Sequence, residues 1–242
     1  MKIILSPSKT QNNDIRISGL KHPKYDVQSK EIMRNLKLLS VEEIASVMKL
    51  KGRLLDESFN LIQHFKLNQK LLTPAIHLYT GVVYESLSVE EYSESELEYC
   101  NQNVRILSAL YGVLAPQDGV QAYRLDFTMK LKNLNLNQIW KNKILDYFKH
   151  ETLILDCASQ EFSHFLKPFK EKVHRVEFID RIDGQDKIIS YNAKKLRGLM
   201  VDYCIRNNVQ TIEEIKRFDC EGYVYDTEQS NHLISVFIKS KR

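Results

Sequence analysis

The chain has 242 residues, 43% hydrophobic and 27% charged, the composition of an ordinary globular protein long enough to bury a sizeable core. Its 35 basic residues stand against 31 acidic ones, a net charge of +4, too even a balance to mark a nucleic-acid binder by composition, so any basic surface has to come from placement. Cys100, Cys157, Cys204 and Cys220 form no C-x-x-C pair and the seven histidines show no ligand-like spacing, which points to no metal site, no cofactor and no disulfide framework.

The opening "KIIL" is a β-branched run stopped by Ser6-Pro7, the pattern of a buried strand ending in a turn. It is too short for a signal peptide, and nothing in the chain approaches the roughly 18 apolar residues of a membrane span. A cytoplasmic protein without a membrane partner is expected. Beyond Tyr25 a helical pattern runs in pieces, "DVQSKEIMRNLKLL", "SVEEIASVMKL" with Ser40 and Glu43 spaced as a capping box, and "GRLLDESFNLIQHF", which predict one packed layer.

Residues 75–79, "AIHLY", read as a strand, and residues 88–101 carry acidic side chains at helical spacing, the mark of a solvated face. "VRILSALYGV" begins as strand or helix and ends at Gly112, "NQIWKNKILDYFKH" reads as a helix, and "TLILDCAS" as a central strand. "VHRVEFI" and "DKIISY" flank Asp183-Gly184, a tight hairpin dipeptide. A long helix follows from about Asn192, its apolar stripe formed by Leu196, Leu199, Met200 and Tyr203, and "GYVYD" with "HLISVFIK" predicts a closing antiparallel pair. With no repeat and no linker, the expectation is one α/β domain (mixed α+β) over residues 1–242, a mixed β-sheet flanked by helices.

Four segments place small polar or basic residues at the ends of apolar elements. In "LSPSKT", Ser6, Ser8, Lys9 and Thr10 leave the first strand, and hydroxyls beside a lysine suit an anionic oxygen; a plain strand-end turn fits the same residues. In "LYGVLAPQDGVQAYRLDF" the glycines permit close approach of backbone to a ligand, and Tyr123-Arg124 is either a stacking-plus-phosphate pair or a core tyrosine beside a surface arginine. "LDCASQEF" ends a strand in Asp156, Cys157, Ser159 and Glu161, at the carboxyl-end position where open α/β sheets bind ligands; Ser159 also fits a helix N-cap. In "SYNAKKLRGLM", Lys194, Lys195 and Arg197 crowd the first turns of the predicted helix, where the dipole disfavours cations and a bound phosphate relieves the conflict.

Together "SPSKT", "LSALYGVLAPQDGVQAYRLDF", "CASQEF", "SYNAKKLRGLM" and the "GY" before the last strands resemble, in order and over essentially the whole chain, the YaaA family of bacterial peroxide-stress-resistance proteins. The resemblance implies a family-specific α/β fold, DNA binding through a positively charged cleft with a helix-hairpin-helix-like element, and limitation of oxidative damage by lowering available iron. That element falls on "LSALYGVLAPQD". Lys9, Arg124, Lys194, Lys195 and Arg197 match the family pattern, whereas Ala115 stands where the family usually has arginine, Ala122 where it has proline, and Asp156 where asparagine is commoner. The leading expectation is a DNA-binding stress protein that holds phosphates of double-stranded or distorted DNA with little sequence specificity. The alternative is an enzyme acting on a nucleotide or another phosphorylated small molecule, with Asp156, Ser159 and Glu161 in the same pocket.

Overall fold

Strand β1 (Lys2–Leu5) is the centre of the molecule: Ile3, Ile4 and Leu5 are fully buried, as an apolar run between two parallel neighbours must be. The computed structural model describes residues 1–131 and 134–241. After the short β2 (Ile17–Ser18) come α1 (Asp26–Lys37), α2 (Val41–Met48) and α3 (Arg53–His64), which bury Ile32, Met33, Ile44 and Ile62. α3 touches both α1 and α2, giving the expected layer. Ser40 and Glu43 form the capping box read from the sequence.

β3 (Leu71–Pro74) and α4 (Ala75–Leu78) occupy the stretch where a strand over 75–79 was expected. The strand ends at Pro74, and Ala75, Ile76 and Leu78 are buried as one helical turn; a short apolar run does not distinguish the two geometries. α5 (Val82–Glu85), a 3-10 turn at Val89–Glu91 and α6 (Glu94–Asn103) lead into β4 (Val104–Ser108), β5 (Gly112–Leu114) and β6 (Gly119–Val120). Residues 107–118 are therefore not a helix pair: β4 and β5 pair antiparallel, and Ser108 Oγ accepts from the N–H groups of Leu110 and Tyr111 at the bend. Gly112 has φ 74°, and a β-carbon there would meet the Trp140 ring at 2.3 Å, so the bend requires glycine.

The rest of the chain supplies α7 (Leu136–Phe148), β7 (Ile154–Asp156), α8 (Gln160–Ser163), a 3-10 segment at His164–Phe169, β8 (Val173–Ile182), β9 (Gln185–Lys187), α9 (Ser190–Arg206), α10 (Ile212–Ile215), β10 (Val224–Asn231) and β11 (Ile234–Lys241). Asp183 (φ 50°) and Gly184 (φ 74°) make the predicted hairpin turn. The main sheet runs β10-β11-β8-β7-β1-β4-β5, with β9 on β8. Its five inner strands are parallel and the rest pair antiparallel, so the molecule is one mixed α/β domain with helices flanking a mixed sheet. A second sheet joins β2, β3 and β6. Among the described residues no helix is long and apolar enough to cross a membrane.

From β1 the chain goes to β4 on one side, then to β7, β8 and β11 on the other. The strand order therefore reverses between β1 and β7, and the carboxyl ends of two such strands open a crevice.

Candidate functional site

A cavity of about 400 Å³ fills that crevice. Its floor is the turn after β1, with Ser6, Ser8, Lys9 and Thr10, and the turn after β7, with Cys157 and Ser159. Tyr123, Arg124, Leu125 and Asp126 form a second side, Glu161 and Phe162 of α8 a third, and Lys194 and Arg197 of α9 a fourth. Four segments read separately from the sequence thus meet at one place.

The turns are tied together by hydroxyls. Ser6 Oγ accepts from the Ser159 N–H at 2.7 Å and donates to Ser159 Oγ at 3.2 Å. Ser159 begins α8 as its cap residue without a side-chain capping bond, its hydroxyl facing Ser6 instead. Thr10 donates from its N–H to Ser8 Oγ and from its hydroxyl to the Thr80 carbonyl, while the Tyr84 hydroxyl donates to the Ser6 carbonyl. These last contacts bring in residues 80–84, "TGVVY", which the sequence reading missed. Gly81 has φ 94°, and a β-carbon there would lie 3.0 Å from Thr10 Oγ1, so the only advance signal was a glycine where the two turns touch.

The charges sort themselves by partner. Lys9 pairs with Asp126 at 3.1 Å. Lys194 and Arg197, three positions apart and so on one face of α9, line the cavity and form no ion pair among the described residues. Arg124 lines it too, and its Nε is buried without a hydrogen-bond partner. Lys195 lies outside the cavity in an ion pair with Glu221. α9 begins at Ser190, two residues before the expected start, so all three cations fall beyond the first turn, where the dipole effect has largely faded. The conflict expected from the sequence is therefore weak.

Tyr123 is buried at 3% exposure, its hydroxyl shared with Tyr79 (2.9 Å) and Ser108 (2.7 Å). A ring held this way is core and offers no free face on which a base could stack, unlike the stacking role considered from the sequence. Asp156 also departs from the expected grouping. It accepts from the Ala158 N–H and the Ser163 hydroxyl, closing the turn after β7, and faces a separate cavity of about 330 Å³ with Lys167, Lys170 and Arg175. Ser159 and Glu161 remain in the main cavity.

Glu161 is its most unusual member. Oε1 is buried without a partner, and burial, followed by the nearby Asp126 carboxylate, pushes the Glu161 carboxyl above the usual range. The Cys157 thiol in the cavity wall is 2% exposed, and burial pushes its pKa well up, which leaves little reactive thiolate. The arrangement is a cationic chamber with hydroxyl donors and one carboxyl shifted above the usual range.

Comparison with known proteins agrees with the resemblance noted in the sequence. The family described as peroxide stress protein YaaA matches residues 1–229. A UPF0246 protein of Finegoldia magna is 35% identical, with 99% of this chain and 98% of that protein covered. One from a Marinomonas species is 37% identical, covering 99% and 97%, and one from Fusobacterium nucleatum is 33% identical over 99% of both. Matches of this extent leave no part of the fold or of the cavity outside the comparison: the chain belongs to the peroxide stress protein YaaA family.

Proposed function

We propose that the protein acts in the cytoplasm as a DNA-binding protein of the peroxide stress response, holding backbone phosphates at the mouth of this cavity and limiting iron-dependent damage. The observation that carries the reading is the convergence of Arg124, Lys194 and Arg197, three cations without an ion-pair partner among the described residues, on one crevice at the reversal of strand order. Cations outside ion-pair distance of a carboxylate can take an anion, and phosphate contacts of this kind position a duplex without reading its sequence.

Each neutralised phosphate releases condensed counterions, so affinity falls steeply with salt. Fluorescence anisotropy on a labelled duplex, from about 50 to 200 mM salt, tests the proposal with the wild type and an Arg124→Ala/Lys194→Ala/Arg197→Ala variant. A folded variant that binds the duplex as tightly as the parent, with the same salt slope, refutes it.

A second reading is favoured by one further observation, the half-buried Glu161 carboxyl, its Oε1 shielded and unpartnered, inside a chamber of about 400 Å³. That volume falls within the small-molecule range of roughly 300–1,000 Å³, and a carboxyl with a raised pKa is suited to general acid–base chemistry. On this reading the protein is an enzyme acting on a phosphorylated small molecule, and turnover of such a substrate, abolished in Glu161→Gln, is the result that would establish it.

A further inference from the structure

Two polar atoms in the cavity are buried without partners, Arg124 Nε and Glu161 Oε1. The arginine atom is a donor; the carboxyl oxygen accepts, or donates when protonated. An isolated phosphate answers Arg124, Lys194 and Arg197 but fills little of about 400 Å³. A duplex contact spreads over about 600–2,500 Å² of protein surface, so the chamber itself holds only a small part of one. The occupant has to be an anion joined to an uncharged part that hydrogen-bonds with a carboxyl. Leu125 and Phe162 add apolar lining.

We infer that the cavity takes a single nucleotide unit, its phosphate held by Arg124, Lys194 and Arg197 and the edge of its base held by Glu161. A base edge with a ring nitrogen beside an exocyclic amine matches a protonated carboxyl, whose O–H donates to the ring nitrogen while the other oxygen accepts from the amine. The inference rests on the phosphate-binding reading above and deepens it. The same chemistry serves a nucleotide extruded from a DNA stack, least costly at a bulge or mismatch, and a free mononucleotide.

The experiment separates these sources. The full chain is mixed with a duplex carrying 2-aminopurine at a single-base bulge, with its fully paired counterpart, and with free 2-aminopurine deoxyribonucleoside monophosphate. Anisotropy reports binding, and 2-aminopurine intensity reports unstacking. The expected result is bulged-DNA binding with at least a twofold change in intensity, lost in Glu161→Ala while the DNA stays bound. Binding of the free nucleotide, weakened fivefold or more by the same substitution, supports the inference with a free ligand instead. DNA bound without an intensity change, together with no nucleotide binding, overturns the inference and leaves the DNA reading standing. Binding of neither overturns both. Glu161→Leu, which keeps much of the side chain's volume without its oxygens, repeats the comparison should the alanine variant fail to fold, and unchanged responses in a folded variant overturn the role of Glu161.

Discussion

Substituting Gly198 by alanine turns a usually helpful change into a harmful one. On a free helix surface alanine is favoured over glycine by about 0.8–1.0 kcal/mol. At Gly198, however, a β-carbon would lie 2.2 Å from the Val83 carbonyl oxygen and 2.7 Å from Ser86 Cβ. Ordinary contact begins near 3.4 Å, so α5 must retreat from α9 by about 1.2 Å, and the obstacle is backbone that cannot swing aside. Overpacking of this kind costs about 1–3 kcal/mol. After the gain in helix propensity, a net loss of about 1 kcal/mol lowers Tm by about 2–4 °C in a chain of this size. The same retreat moves Gly81, Val82, Val83 and Tyr84, all of which line the cavity, so ligand affinity falls by roughly tenfold, less than the roughly hundredfold a 1 Å misplacement can cost a reaction rate. Thermal unfolding by circular dichroism and anisotropy on a labelled duplex measure the two effects. A higher Tm with unchanged binding would refute the argument that α5 and α9 are wedged together at this glycine.

Asp156 predicts a pH effect on stability: burial pushes its carboxyl above the ordinary 3.8, so the stability linked to its proton is complete below that value and is lost as pH rises through the folded-state pKa. Asp156→Asn keeps an acceptor for Ala158 and Ser163, so its Tm relative to the parent should rise as pH climbs from below 3.8 and level off once the folded-state pKa is passed, whereas a difference independent of pH contradicts the assignment. In salt titrations, Arg197→Ala is expected to flatten the slope of log affinity against log salt by about 0.9, and Lys195→Ala by much less because Glu221 already holds that lysine; equal changes would bring Lys195 into the interface. Cys157→Ser should leave survival under peroxide within about twofold, since a buried thiol of raised pKa is a poor nucleophile, and complete loss of protection in a folded variant would make the thiol functional.

The strands and long helices were readable because β-branched runs and apolar stripes are local signals. β1 and β7 were visible for that reason, and so was the ring of hydroxyls that follows them. Their adjacency was not visible, since hydrogen-bond pairing between residues 2–4 and 154–156 leaves no local trace. Lys194 and Lys195 show a finer limit. Neighbours on a helix differ by about 100° in direction, so one lines the cavity while the other meets Glu221, and a helix start misplaced by two residues hid how far both lie from the dipole. Gly81 stayed unread because the need for glycine comes from Thr10 and Ser8, distant in sequence. Asp156 and Glu161 looked like one cluster, but the turn closed by Ala158 and Ser163 commits Asp156 to a different cavity.

The cavity's walls come from residues as far apart as Ser6 and Arg197, so none of its sides is a binding site alone. A partly unfolded chain has nothing to offer the ligand, and occupancy is linked to the native state as a whole: at a hundredfold excess over Kd, any ligand bound there adds about 2.7 kcal/mol to global stability. A ligand at this site would thereby couple its own supply to the stability of the whole fold.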